Sequence, residues 1–82
     1  MGWRVVWTAP AARDLRRLDR DVARRVREGV LCLASTGQGD VRQLRGQGQA
    51  WRLGRGDWRV AFAYDVGEGT ITALSVRHRC EA

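Results

Sequence analysis

The chain opens on a short strand and two helices. Trp3 to Trp7 sets bulky apolar residues around Arg4 and reads as a strand. Thr8 suits an N-cap and Pro10 a first helical turn, so a helix is predicted through about Leu18, with Leu15 and Leu18 on its apolar side. Asp19 or Asp21 starts a second helix. Val22, Val26, Val30 and Leu33 recur at helical spacing and make one apolar stripe, while Arg20, Arg24 and Arg27 make a basic one. Gly29 weakens that helix by about 1 kcal/mol relative to alanine, and Gly37 is its stop. Helices joined by only a residue or two must fold back as a hairpin.

Beyond Gly37 the helical period is lost. Residues 37–49 are polar and glycine-rich and read as a loop anchored by Leu44. Strands are predicted at about residues 50–54, 58–66 and 70–78, with turns at Gly54 to Asp57 and Gly67 to Gly69, which makes an antiparallel meander. The expected fold is α+β in the order β-α-α-β-β-β, a single domain over 1–82 with a helix hairpin on one face of a small, mainly antiparallel sheet. Side chains alternate along strands, so Arg52 and Gly54 share one face and Trp51 and Leu53 the other. In the next strand Trp58, Val60, Phe62 and Tyr64 form an apolar face. Arg59, Ala61, Ala63 and Asp65 form the opposite one, where small alanines beside an arginine leave a shallow positive hollow suited to a phosphate.

Composition sharpens this picture. A chain of 82 residues has one modest core, so a bound partner contributes to its stable state. No apolar run approaches the ~18 to 20 residues of a membrane span, and Met1-Gly2-Trp3-Arg4 lacks the apolar stretch of a signal peptide, so the chain reads as soluble and cytoplasmic. Cys32 and Cys80 are far apart and the histidine is single, which indicates neither a zinc site nor a disulfide framework. Cys32 is expected inside the helix hairpin and Cys80 exposed. Fifteen basic against nine acidic residues give +6, and every basic residue is arginine. The planar arginine fork grips phosphate and carboxylate, which points to nucleic acid or an acidic protein as partner. A GC-rich genome also replaces lysine by arginine, but it does not explain the net charge.

Leu44-Arg45-Gly46, the run Gly56-Asp57-Trp58-Arg59-Val60, Ser75-Val76-Arg77-His78-Arg79 and the helix Ala11-Ala12-Arg13-Asp14-Leu15-Arg16-Arg17-Leu18-Asp19 occur in an order and spacing that resembles toxins of the RelE/ParE superfamily, the RelE branch in particular. That resemblance implies the toxin of a type II toxin–antitoxin pair, neutralised by a cognate acidic antitoxin, with a toxin–antitoxin complex reaching operator DNA through the antitoxin. The RelE branch implies ribosome-dependent, metal-independent cleavage of messenger RNA with no cofactor. The ParE branch implies inhibition of DNA gyrase without RNA cleavage. A degenerate toxin that acts only as an antitoxin-binding corepressor is a third reading.

Cutting RNA in this way needs a base for the 2′-hydroxyl, cations around the phosphate and an acid for the leaving 5′-oxygen. By resemblance, Arg59 holds the scissile phosphate, Arg79 assists from the C-terminal side, and Arg52 matches a basic position in the first meander strand. RelE toxins commonly carry a lysine two residues further on, where this chain has Gly54, and a tyrosine after the terminal arginine, which is missing here before Ala82. His78 is the side chain whose ordinary pKa lies nearest neutrality and is the candidate acid or base. Alternation sets it opposite Arg77 and Arg79, where a histidine bonded to the backbone is the competing reading. Tyr64 is either a substitute acid or core. Arg45, Arg55 and Arg77 are candidate RNA contacts, and Arg24 and Arg27 either bind RNA phosphates or form a solvated helix face. The four tryptophans are either base-stacking platforms or core and rim.

Overall fold

A computed structural model describes residues 2–44 and 50–81. The elements are β1 (Arg4–Trp7), α1 (Ala9–Arg16), α2 (Arg20–Thr36), β2 (Asp40–Gln43), β3 (Ala50–Arg55), β4 (Trp58–Asp65) and β5 (Thr70–His78). Thr8 caps α1 as its position predicts, its Oγ1 accepting from Ala11 N at 3.3 Å. The same hydroxyl and the Thr8 amide both donate to Ala73 O, at 2.9 and 3.1 Å, so one residue starts the helix and fastens the end of β1 to β5. Helix α1 stops at Arg16, a little short of Leu18. Helix α2 ends where Gly37 takes a left-handed φ of 77° and its amide bonds Leu33 O at 2.9 Å.

The sheet runs β1-β5-β4-β3-β2. Strands β2 to β5 pair antiparallel and β1 joins β5 in parallel: the two helices carry the chain from β1 at one edge to β2 at the other, and the meander brings it back to β5. Strand β2 corrects the loop expected over 37–49. Its alternation, with Val41 facing in beside Leu53, is only four residues long and is set among glycines. It forms because β3 offers an edge to pair with. Both turns of the meander are present. Gly56 (φ 60°) and Asp57 alone link β3 to β4, with glycine first as the twist of the flanking strands favours.

Both helices pack on one face of the sheet. Val26, Val30 and Leu33 of α2 and Ala11 and Leu15 of α1 meet Leu53, Val60, Phe62, Ile71, Ala73 and Val76 in one core, with Val22 at its edge. Trp3, Trp7, Trp51 and Trp58 are half-buried against this core, which places them as core and rim. Tyr64 sits among aromatic rings, 5.0 Å from Trp3, 5.2 Å from Phe62 and 5.9 Å from Trp51. Cys32 is exposed, contrary to expectation, because it shares its helix face with Glu28 and Thr36 rather than with the apolar stripe. Cys80 is exposed as expected.

Candidate functional site

The outer face of the sheet, away from the helices, carries the arginines. Leu53, Val60 and Val76 are buried, so their neighbours point outward and meet in rows. Arg42, Arg52, Ala61 and Ser75 form one row across β2 to β5. Asp40, Gly54, Arg59 and Arg77 form the next. Arg52, Arg59 and Arg77 with Leu44, Ala61 and Ser75 line a hollow of about 160 Å³ whose floor is small residues and whose rim is cationic.

A bulge aims one of these arginines. Ala61 pairs with Ser75 but Phe62 with Ala73, which leaves Leu74 as the extra residue of β5. Before it, Ile71 and Ala73 face the core; after it, Val76 does. Were the alternation unbroken through Leu74, Arg77 would share the phase of Ile71 and Ala73 and point inward. The bulge turns Arg77 to the outer face.

Each arginine is held differently. Arg59 Nη1 donates to Gly56 O at 2.9 Å and Trp58 O at 2.8 Å, while its Nε and Nη2 have no protein partner among the described residues. Arg77 Nη1 donates to Asp14 Oδ2 at 3.0 Å, and the same oxygen accepts the Val76 amide at 2.9 Å. Arg52 makes no ion pair among the described residues. The lining thus supplies fixed donors and positive charge for an oxyanion, but no carboxylate, imidazole, thiol or phenol.

Several predicted residues lie elsewhere. His78 pairs with Trp58 on the helix side, its ring edge-on to the indole at 5.2 Å and 89°, and its Nδ1 accepts the Cys80 amide at 3.2 Å. The structure does not bring it to the hollow, since it follows Arg77 by one residue in an extended strand. Arg79 stands just past β5, its amide on Asp57 O at 2.7 Å and its Nε 3.6 Å from Asp57 Oδ1, beside the β3–β4 turn rather than in the lining. Arg55 turns to the helices, as alternation after Gly54 requires. Its Cδ lies 3.1 Å from where a Cβ on Gly29 would be, so the missing side chain at Gly29 makes room for it. Arg24, 3.8 Å from Asp21, and Arg27 are exposed on α2, with the helix layer between them and the hollow. Arg45 lies outside the described residues. Arg42, Leu44, Ser75 and Asp14 were not found by sequence reasoning. The short alternation Asp40-Val41-Arg42-Gln43 was the available signal for Arg42, and nothing local marks Asp14 as the partner of a residue in the last strand. Among the described residues, no group of three or more His, Cys, Asp or Glu side chains is placed to hold a metal ion.

The fold matches solved toxin–antitoxin structures. A chain of the RelBE2 toxin–antitoxin complex from Mycobacterium tuberculosis is 26% identical with a TM-score of 0.84, the match covering 96% of this chain and 100% of that one. The archaeal RelE–RelB complex from Pyrococcus horikoshii gives 26% identity and a TM-score of 0.80 over the whole of both chains. The intact E. coli RelBE complex shares the fold at 12% identity, with a TM-score of 0.77 over 94% of this chain and 96% of that one. No curated protein sequence matches significantly. The sequence model for the ParE toxin of type II toxin–antitoxin systems matches residues 5–82, so the chain belongs to that toxin family, within the RelE/ParE superfamily.

Proposed function

We propose that this toxin cleaves messenger RNA on the ribosome and so inhibits translation, with the arginine hollow as the seat of the scissile phosphate. The observation that carries this reading is the convergence of Arg52, Arg59 and Arg77 over a floor of Ala61 and Ser75, on a sheet face that the helices leave open. Charge that builds on the phosphoryl oxygens as O2′ attacks is matched by guanidinium donors already in place, with Arg59 anchored through Nη1 and its remaining nitrogens turned to the anion. Arg79, held on Asp57 beside the β3–β4 turn, assists from outside the lining. Outside the reaction, an acidic antitoxin restrains the toxin and carries it to operator DNA, a partner that the RelBE complexes among the solved relatives support.

The test is to induce the protein in cells and map 5′ ends on a reporter transcript, with and without its translation. Cuts confined to the translated transcript, and lost in Arg59→Ala, are the expected outcome. Growth arrest with intact transcripts sinks the proposal. A second reading, inhibition of DNA gyrase, is favoured by the match to the ParE family and by the absence of a proton-exchanging side chain in the lining of the hollow. Supercoiling by purified gyrase separates the two: it stays unaffected by micromolar toxin if the first reading holds.

A further inference from the structure

The hollow as lined lacks a base, but the row beside it supplies one. Asp40 on the edge strand β2 is in register with Gly54, and Gly54 with Arg59. A Cβ placed on Gly54 would lie 3.0 Å from Asp40 Oδ2, 3.5 Å from Arg59 Nη1 and 3.6 Å from Arg59 Cζ. Carboxylate and guanidinium therefore flank the same bare spot on the outer face, and no ion pair closes between them. Asp40 Oδ1 stands 3.9 Å from Arg42 Nε, while Oδ2 has no partner among the described residues. A slot with a free acceptor on one wall and a cation on the other takes a hydroxyl next to an anion. In a nucleic acid that pair is a ribose 2′-hydroxyl and its 3′-phosphate, which DNA lacks.

The geometry points to Asp40 as the catalytic base of the proposed RNA cleavage, its Oδ2 reaching the 2′-hydroxyl across Gly54 while Arg59 holds the neighbouring phosphate. This rests on the reading of the protein as a ribonuclease. Oδ2 takes the 2′-hydroxyl proton, the O2′ electron pair forms the bond to phosphorus, and the P–O5′ bond breaks. The 5′-oxygen leaves with the bonding pair and takes a proton from solvent water, and protonated Asp40 returns its own proton to the solvent. The products are a 2′,3′-cyclic phosphate and a free 5′-hydroxyl. Gly54 is then no gap in the site: any side chain there would fill the space between base and phosphate.

Cleavage of a translated reporter by purified toxin and ribosomes tests this. Asp40→Asn should lower the cutting rate about 100-fold, the low end for removal of a general base, whereas Asp40→Glu, which keeps a carboxylate, should stay within about tenfold of the wild type. Both should melt like the wild type, since Asp40 is exposed on an edge strand. Cutting by Asp40→Asn at the wild-type rate, or equal loss of activity in Asp40→Asn and Asp40→Glu, overturns the assignment and leaves the ribonuclease reading standing. A wild-type protein that does not cut takes down both.

Discussion

Arg59 has the most determined position of the outer-face arginines, because two carbonyls fix one nitrogen and leave the others to an anion. Its removal should lower RNA cutting by about 10²–10³-fold, the range found when one preorganised oxyanion donor is lost. Thermal stability should hardly change, since the guanidinium lies on the open face. Arg59→Lys should fall between, because an ammonium keeps the charge but cannot satisfy Gly56 O and Trp58 O and still present a fork. Rate constants and melting curves for the three proteins check this together. Asp14 is the opposite case. Its side chain is only 12% exposed and serves Val76 N and Arg77 at once. Asp14→Ala leaves a partly buried amide unpaired and should cost about 1–3 kcal/mol in urea denaturation. Asp14→Asn, which keeps an acceptor, should cost less. Equal losses would mean that the ion pair, not the amide, carries the contact.

At the scale of elements, local chemistry fixes ends and tertiary pairing fixes the rest. Thr8→Ala should destabilise the fold by about 1–2 kcal/mol, at the upper end for an N-cap, because the same hydroxyl also ties α1 to Ala73 of β5. Gly37→Ala should cost about 1–2 kcal/mol, a purely conformational effect, since nothing lies within 4 Å of its Cβ position while φ is 77°. Equilibrium unfolding of each variant measures both. These two positions were legible because a cap and a helix stop are written in one or two residues. The stripe of Val22, Val26, Val30 and Leu33 and the inner faces of β3 and β4 were legible for the same reason: their period is local. Strand β2 was not, because four residues between glycines acquire strand character only from pairing with β3. With it went Arg42 and the placement of Asp40. Nor was the bulge at Leu74, on which the outward aim of Arg77 depends, since an inserted residue looks like any other until the partner strand is known. His78 shows the limit of arguing from residue type. Its chemistry made it a candidate, while alternation set it opposite Arg77, and the bulge that turns Arg77 outward turns His78 inward to meet Trp58.

Across the whole molecule the positive charge lies on two sides. Arg52, Arg59 and Arg77 occupy the open sheet face, and Arg20, Arg24 and Arg27 are exposed on α2 behind the helix layer. An acidic partner approaching from either side therefore meets an attractive field. The association rate of the proposed antitoxin should fall as salt rises, because steering is screened beyond about 8 Å at physiological ionic strength. Its dissociation rate should change less, since apolar contact holds the docked complex. The two-sided charge makes a finer prediction possible. Steering sums over all charges, so neutralising Arg20, Arg24 and Arg27 together should weaken the salt dependence of association while leaving RNA cutting intact. Arg59→Ala should do the reverse, abolishing cutting while removing one charge of a net +6. Binding kinetics at low and high salt, run beside the cleavage assay on the same two variants, separate the field that recruits the partner from the hollow proposed to hold the phosphate. If association of the wild type is insensitive to salt, the partner does not read the arginine surface. If the triple variant loses cutting, the helix face belongs to the RNA site.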